Sequence, residues 1–302
     1  MLTPAAGEAT VGEGAPRRAA VIGDPVGHSL SPVLHAAAYR TLGLPHTYEA
    51  IRVPAGEAPR FLGGLDEQWL GLSVTMPHKH DVLGAVDVVQ PLAEAVGAAN
   101  TVLVTGSGAG RLLVAANTDV YGVAEAVRET RGLAARLAPT ARAVVLGAGG
   151  TAAATLAALA ELGLTSSVVC VRDPARAGGL LQAAHRMGVE VRLRRFTRAA
   201  QEIADADVVV QTAPAGAADG IAAGLGDVLG TASLRADQVL LDVVYDPWPT
   251  PLAAAWQHHG GAVAAGWLML LHQAVEQVRL MTGRQVRVAP MREALSTALA
   301  TR

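Results

Sequence analysis

Two ionisable residues follow the ends of predicted strands and could together move a proton. Lys79 comes just after the apolar run 71–76, and Asp119 opens a second series of alternating strands and helices. In open α/β sheets, ligands gather beyond the carboxyl ends of the strands, which is where both residues belong. An aspartate that orients a lysine ammonium in a partly dry cleft can share a proton with it. Taken alone, however, a loop lysine or aspartate is usually a solvated surface charge.

A glycine-rich turn lies between a predicted strand and a predicted helix in the middle of the chain. The strand 142–146 leads into Gly147-x-Gly149-x-x-Ala152, and an alanine-rich helix follows. Such glycines permit a tight turn and let the backbone approach a pyrophosphate, while the free N–H groups of the helix N-terminus attract phosphate. The alternative is a glycine-rich turn of an ordinary α/β domain. We predict a dinucleotide site formed by Gly147, Ala148, Gly149, Gly150 and Thr151.

The end of the next strand should identify the dinucleotide. An acidic residue there binds the ribose 2′-hydroxyl of NAD, and an arginine binds the 2′-phosphate of NADP. The sequence has both, Arg172 and Asp173, with Arg176 close behind. Two guanidinium groups can hold a phosphate from two sides, and Asp173 can instead cap the helix that begins at Pro174. These residues favour NADP as the cofactor over NAD.

The elements around these residues indicate an α/β protein. From about residue 119, strands alternate with helices, which predicts a parallel sheet. Before that point we expect a hairpin from 100–104 and 112–116, and a helix after Ser31, with Ser31 as its N-cap and Pro32 in its first turn. The most apolar long stretch, 262–275, is predicted to be a buried helix.

Composition and charge exclude several classes of protein. A chain of 302 residues with 51% hydrophobic residues is long enough for two domains. Its net charge of −2 gives no reason to expect nucleic acid or a membrane as a partner. The lone Cys170 allows no internal disulfide, and the His78-x-His80 pair lacks a third ligand, so no metal site is expected. Residues 1–17 do not resemble a signal peptide and are expected to be disordered, so the protein should be cytoplasmic.

Several short motifs occur in a fixed order along the chain. They are His28-Ser-Leu-Ser-Pro32, Ser73-Val-Thr-Met-Pro-His-Lys79, Gly97-Ala-Ala-Asn-Thr101, Asn117-Thr-Asp119, Gly147-Ala-Gly-Gly150 and Met269-Leu-Leu-His-Gln273. Together they resemble the shikimate dehydrogenase family over roughly residues 20–297. The resemblance implies an α/β fold of two domains. An N-terminal α/β substrate-binding domain (1–118) would be closed by C-terminal helices (267–302), and a Rossmann-type NADP-binding domain would span 119–266.

The same resemblance implies a role for individual residues. Lys79 and Asp119 match the catalytic pair that moves a proton during the reduction of 3-dehydroshikimate to shikimate by NADPH. Gly266 resembles the backbone that meets the nicotinamide. The small anionic substrate would be held by hydroxyl and amide side chains: Ser29, Ser31, Thr75, Asn100, Tyr245 and Gln273.

The chain departs from the family at a few positions, and these leave alternatives open. Many members have asparagine in place of Ser73, and an Asn-Arg-Thr sequence where this chain has Val171-Arg-Asp173. A quinate or aminoshikimate dehydrogenase using NAD or NADP is an alternative, because the same hydroxyl side chains would bind its ring substituents. A non-catalytic NADP-binding sensor is another, although such a protein is expected to lose Lys79 or Asp119. The sequence is compatible with either a monomer or a homodimer.

Overall fold

The computed structural model describes residues 15–132, 137–138 and 140–301. The predicted disordered tail lies mostly outside these residues, but its boundary at residue 17 is wrong. The backbone N–H of Arg17 donates to Nδ1 of His46 over 3.2 Å, and its Nε donates to the carbonyl oxygen of Glu67 over 3.0 Å. Arg17 is therefore fixed to the structure beside the first strand.

The first half of the chain forms a mixed sheet. Its strands are β1 (Arg18–Gly23), β2 (Thr47–Arg52), β3 (Trp69–Val74), β4 (Val88–Val89), β5 (Thr101–Thr105) and β6 (Leu112–Ala116). They lie in the order β2-β1-β3-β5-β6-β4. The predicted hairpin is confirmed, since β5 pairs with β6 in an antiparallel register. Strands β1 and β3 are buried almost throughout because they lie inside the sheet and helices cover them.

The α-helices described in this half are α1 (Ser31–Thr41), α2 (Ala58–Gly63) and α3 (Pro91–Val96). Pro32 lies in the first turn of α1, as predicted, but the N-cap residue is Leu30 and not Ser31. The Ser31 N–H donates to Oγ of Ser29 over 3.2 Å, so the hydroxyl that accepts from the first turn of the helix belongs to Ser29. The helix thus begins one residue earlier than the sequence indicated, and Ser31 is its first residue.

The second half forms a sheet in which every pair of neighbouring strands is parallel, as predicted. The strands are β7 (Ala143–Leu146), β8 (Ser166–Val171), β9 (Glu190–Arg195), β10 (Val208–Gln211), β11 (Val239–Asp242) and β12 (Ala262–Ala265). Their order is β12-β11-β10-β7-β8-β9. The chain reverses its direction of winding between β7 and β10, and in such sheets this switch point is where ligands bind.

The remaining helices cover this sheet and close the first one. They are α4 (Asp119–Arg131), α5 (Gly150–Glu161), α6 (Gly178–Met187), α7 (Ala199–Ala204), α8 (Asp219–Leu229), α9 (Pro251–His258), α10 (Gly266–Thr282) and α11 (Val288–Ala300). The prediction of one helix over 262–275 is wrong at its start, since 262–265 form β12. A short apolar run suits a buried strand as well as a buried helix, and pairing with β11 decides the outcome here.

Helix α10 joins the two halves of the molecule. It packs along α4 and also contacts α1, β3 and β5, while α11 packs on α1. The crossing with α4 is close because Gly122 has no side chain: a Cβ there would lie 2.8 Å from the carbonyl oxygen of Met269 and 2.9 Å from Cβ of Gln273. Among the described residues, no helix is both long enough and apolar enough to span a membrane.

Candidate active site

A cleft of about 1280 Å³ lies where the two sheets present the carboxyl ends of their strands. It brings together all the residues that the sequence marked for a site. The proton-transfer candidates Lys79 and Asp119 both line it. The expected substrate contacts around it are Ser29, Ser31, Thr75, Asn100, Tyr245 and Gln273, and the expected cofactor contacts are Gly147, Ala148, Gly149, Gly150, Thr151, Arg172, Arg176 and Gly266.

Lys79 and Asp119 form a largely buried ion pair. Nζ of Lys79 donates to Oδ2 of Asp119 over 2.5 Å, and the two side chains are 15% and 6% exposed. Lys79 lies on the turn after β3, whereas Asp119 lies in the first turn of α4, where the helix dipole favours a carboxylate. The second carboxylate oxygen, Oδ1, accepts from Nδ2 of Asn100 over 2.8 Å. Asp119 is thus fixed from both sides and orients the ammonium toward the cleft.

Lys79 is also the only lysine in the 302-residue sequence, whose other basic side chains, histidines aside, are all arginines. Arginine stays protonated at any physiological pH, whereas a lysine in a partly buried site can release and regain its proton. Apart from the histidines, the basic groups that make surface ion pairs in the described structure are therefore arginines, which do not exchange protons. The only primary amine on a side chain is the one beside Asp119.

Asn100 connects this pair to the substrate side of the cleft. Its Oδ1 accepts from the backbone N–H of Thr118 over 2.7 Å, and its Nδ2 also lies 3.1 Å from Oε1 of Gln273 on α10. These contacts fix which end of the amide faces Asp119, because a reversed amide would set an acceptor against the carboxylate. The side chains of Asn100, Asp119 and Gln273 therefore form one hydrogen-bonded unit.

Gln277, one turn further along α10, lies beneath this unit and was missed from the sequence. Its Nε2 donates to the carbonyl oxygen of Asn100 over 3.1 Å and to Oγ1 of Thr101 over 3.0 Å. Its Oε1 accepts from Ser73 over 2.7 Å and lies 3.3 Å from Nε2 of His35. All its hydrogen-bonding capacity is used within the protein, so Gln277 holds the floor of the cleft and has no capacity left for a ligand.

Two ring side chains, His35 and Tyr48, lie below Ser73, and both are neutral. Burial lowers the pKa of His35 to about 3, and burial raises the pKa of the Tyr48 phenol well above its usual range. The two rings stack with their centroids 3.9 Å apart, and the Tyr48 hydroxyl donates to Oγ of Ser73 over 2.5 Å. Ser73, the position at which many family members have asparagine, is therefore already engaged by both Tyr48 and Gln277.

The glycine-rich turn after β7 has the form that a dinucleotide phosphate requires. Gly147 has a φ of +117°, and a Cβ there would lie 2.5 Å from Oγ1 of Thr212, so no other residue fits. A Cβ on Gly149 would meet no heavy atom within 4 Å, which leaves the approach from the cleft open. No side chain caps the first turn of α5, so its N–H groups remain free to bind an anion. These residues fit a pyrophosphate.

The end of β8 carries the groups expected to recognise the adenosine portion. Asp173 caps the helical turn that follows, as expected, by accepting from the backbone N–H of Ala175 over 3.0 Å. Arg172 and Arg176 are exposed at the edge of the cleft. Half-buried Phe196 lines the same region, although a lone aromatic residue after a strand carries no spacing signal in the sequence.

Gly266 sits where β12 passes directly into α10. A Cβ at this position would meet the carbonyl oxygen of Val243, so no side chain fits between the two backbones, and the Gly266 backbone itself lines the cleft. Asp242, at the end of β11, is buried nearby, and burial raises the pKa of its carboxyl group. Thr250 donates to it over 2.6 Å, which fixes the turn that carries Tyr245.

The parallel sheet, its glycine-rich turn and the neighbouring polar cleft define an α/β oxidoreductase with a substrate domain and a Rossmann-like NADP-binding domain. Residues 21–102 match the family described as shikimate dehydrogenase substrate binding domain, and residues 266–295 match the family described as Shikimate 5'-dehydrogenase C-terminal domain. The chain belongs to the shikimate dehydrogenase family.

Individual relatives agree with this assignment. The chain is 37% identical over 278 residues to a shikimate dehydrogenase (NADP(+)) of Rubrobacter xylanophilus, covering 91% of this chain and 94% of the relative. It resembles the crystal structure of Mycobacterium tuberculosis shikimate dehydrogenase with a TM-score of 0.80, at 43% identity over 93% of this chain and 100% of the other. A Thermus thermophilus shikimate 5-dehydrogenase, solved with NADP(H) and shikimate, gives a TM-score of 0.74 at 33% identity, covering 93% and 99% of the two chains.

Proposed function

We propose that the protein is a shikimate dehydrogenase, which catalyses the reversible NADPH-dependent reduction of 3-dehydroshikimate to shikimate in aromatic amino-acid biosynthesis. The observation that carries this proposal is the position of the only lysine. Lys79 is held against Asp119 in a cleft that also contains a free phosphate-binding turn. An oxidoreductase that reduces a ketone needs a group of this kind to supply a proton to the oxygen.

The residues of the second sheet would hold the dinucleotide. The turn from Gly147 to Thr151 would bind the pyrophosphate, and Arg172 with Arg176 would bind the 2′-phosphate of NADP, with NAD as the less favoured cofactor. Gly266 would lie against the nicotinamide, since its backbone lines the cleft. When bound, NADPH supplies the hydride.

The chemistry of this chain's own residues is proton transfer and charge stabilisation. During reduction, Nζ of Lys79 donates a proton to the oxygen that gains negative charge, and in the reverse direction the neutral amine accepts it. Asp119 keeps the ammonium pointing at that oxygen, and Asn100 keeps Asp119 in place. Because both charged groups are largely buried, water screens their action on the substrate only weakly.

The other side of the cleft would bind the substrate through short polar side chains. Ser29 and Ser31, at the start of α1, would hold the carboxylate, and Thr75 would bind a ring hydroxyl. Gln273, Tyr245 and Asn100 would complete the site. A site built on directional hydrogen bonds rejects analogues that lack a hydroxyl, because buried polar groups would then be left unpaired.

We further propose that residues 1–118 and 267–302 form the substrate-binding domain and residues 119–266 the NADP-binding domain. The two sheets, each with its own helices, support this division. We also propose a cytoplasmic location, in which the buried thiol of Cys170 needs no oxidised partner.

The test is turnover of purified protein with shikimate and NADP+, followed by the absorbance of the reduced nicotinamide. Parallel assays replace NADP+ with NAD+ and shikimate with quinate. Lys79→Ala and Lys79→Arg are compared, since arginine keeps the positive charge but cannot release a proton at neutral pH. We expect both variants to lose at least about 100-fold in kcat.

Activity retained in Lys79→Arg would assign the lysine a purely electrostatic role. Faster turnover of quinate would instead identify a quinate dehydrogenase. If the protein bound the cofactor but turned over neither substrate, the remaining interpretation would be a non-catalytic NADP-binding sensor.

A further inference from the structure

His80 belongs to the half of the molecule built on the first sheet, called the substrate half below, but faces the phosphate-binding turn of the other half. Its Nδ1 lies 2.7 Å from the carbonyl oxygen of Gly97, which ends α3. A Cβ placed on Gly150 would lie 3.5 Å from Nε2 of His80 and 3.1 Å from Cβ of Ala98. Gly150 thus lacks a side chain at the position where α5 abuts the substrate half, and the imidazole borders the cleft beside it.

The contact with Gly97 decides how His80 presents its other nitrogen. A carbonyl oxygen only accepts hydrogen bonds, so Nδ1 must carry the proton and donate it. In the neutral ring, Nε2 therefore presents a lone pair toward the turn. Within the described part of the chain this nitrogen has no hydrogen-bond partner.

A phosphate on the turn would meet this nitrogen from the cleft side. Phosphate oxygens are acceptors, so a lone pair repels them, whereas a protonated Nε2 forms a charge-assisted hydrogen bond. We infer that His80 is an additional cofactor-binding residue, which contacts the pyrophosphate as an imidazolium and takes up a proton from solvent when the dinucleotide binds. This inference rests on the proposed function, because it requires a dinucleotide at this turn.

The charged groups around His80 do not prevent the protonation of its imidazole ring. On its own loop, Lys79 is paired with Asp119, and Asp81 lies toward His78, with 3.8 Å between Oδ2 and Nδ1. On the neighbouring elements, α3 carries Glu94, and Arg186 at the end of α6 donates to the carbonyl oxygen of Ala95 over 3.0 Å. The first turn of α5 carries no charged side chain, so the bound phosphate supplies the charge that favours the imidazolium.

Two substitutions test the contributions of the two ring nitrogens of His80 separately. In His80→Asn the side-chain amide can still donate to Gly97 from the position of Nδ1, but nothing remains at the position of Nε2. In His80→Gln a neutral amide reaches the position of Nε2, so it can donate to phosphate without taking up a proton. His258→Asn, at the exposed end of α9, is the matched control.

The measurement is isothermal titration calorimetry of NADP+ binding at pH 7 in buffers of different ionisation enthalpy, which counts the protons taken up. Imidazole groups change charge between about pH 5 and 8. We expect wild type and His258→Asn to take up at least about 0.3 proton more per NADP+ than either His80 variant. Subtracting the variants removes any proton exchanged by the 2′-phosphate, and NAD+, which lacks that group, gives a second comparison.

The affinities give an independent readout. His80→Asn should raise the Kd for NADP+ about tenfold at pH 6 but less than about twofold at pH 8.5, because the wild-type contact is lost as the ring deprotonates. His80→Gln should recover part of the affinity at both pH values.

Equal proton uptake in wild type and His80→Asn, with NADP+ bound and shikimate turned over normally, would overturn this inference alone. If wild type bound no dinucleotide, the proposed function would fail as well.

Discussion

Nδ2 of Asn100 donates to Oδ1 of Asp119 over 2.8 Å, while Lys79 occupies the other oxygen of the same carboxylate. The aspartate therefore receives one neutral and one charged donor, both from the first half of the chain. An anion at this position can satisfy both donors, but an amide can satisfy only one.

Asp119→Asn should lower kcat by about 10²- to 10⁴-fold. The new amide would turn its own N–H₂ group toward either Lys79 or Asn100, so it would no longer orient the ammonium. Steady-state kinetics with shikimate and NADP+ measure the effect. Asp205→Asn, at an exposed residue, is the control and should leave kcat within about twofold of wild type. Equal kcat values for the two variants would contradict the positioning role of Asp119.

Gln277→Leu should reduce the free energy of unfolding by about 2–4 kcal/mol. Leucine is of similar size, but it removes the acceptor of the Ser73 hydroxyl and the N–H₂ group that donates to Thr101 and to the carbonyl oxygen of Asn100, all in a buried site. Urea denaturation followed by circular dichroism measures the loss. The control is Gln257→Leu, the same change at an exposed position of α9, for which we expect a change within about 0.5 kcal/mol.

Gly122→Ala should destabilise the protein by about 1–3 kcal/mol, because the added methyl group would force α4 away from α10. Since α4 begins at Asp119 and α10 carries Gln273, kcat should fall as well. Gly220→Ala makes the same change in α8, where a Cβ would meet no heavy atom within 4 Å. That variant should be stabilised by about 0.4–1 kcal/mol. A thermal melt of the three proteins distinguishes them, and equal melting temperatures for the two variants would argue against the close crossing.

Stability should fall below pH 6.5 because His35 is buried as a neutral ring. Its pKa is lowered from 6.5 in the unfolded chain to about 3 in the folded protein, so the unfolded state binds the proton more readily. The contribution of His35 is complete above pH 6.5 and is lost as the pH falls toward 3, by roughly 1.4 kcal/mol per pH unit.

Urea midpoints at pH 7.5 and pH 5.0 measure this loss. Wild type should lose about 2 kcal/mol more over this range than His35→Gln, which has no group to protonate. Substituting the exposed His258 with asparagine should leave the wild-type loss unchanged. A loss of the same size in His35→Gln would mean that other groups cause the acid sensitivity.

The features that the sequence predicted correctly are those encoded over short stretches. The turn from Gly147 to Ala152, the hairpin of β5 and β6, and the Asp173 cap each depend on neighbouring residues whose spacing has a physical meaning. The order of motifs indicated the family and hence the residues around the cleft. The structure brings these residues together in one cleft.

The features that were missed depend on contacts between distant parts of the chain. Gln277 meets Ser73 across 204 positions of sequence, and no local pattern distinguishes it from a surface glutamine on α10. Residues 262–265 are equally apolar as a strand or as a helix, and only the presence of β11 alongside makes them β12. The orientation of His80 toward Gly150 likewise exists only after the two halves have folded.

Because Lys79 is the only lysine in the sequence, the protonation of its amine can be followed by NMR. Protein grown on lysine labelled with ¹³C at the ε position would carry that label at one site only, the carbon next to the amine that faces Asp119. One resonance, followed as the pH is raised with and without substrate and dinucleotide, would report directly on the protonation of this amine, with no need for assignment.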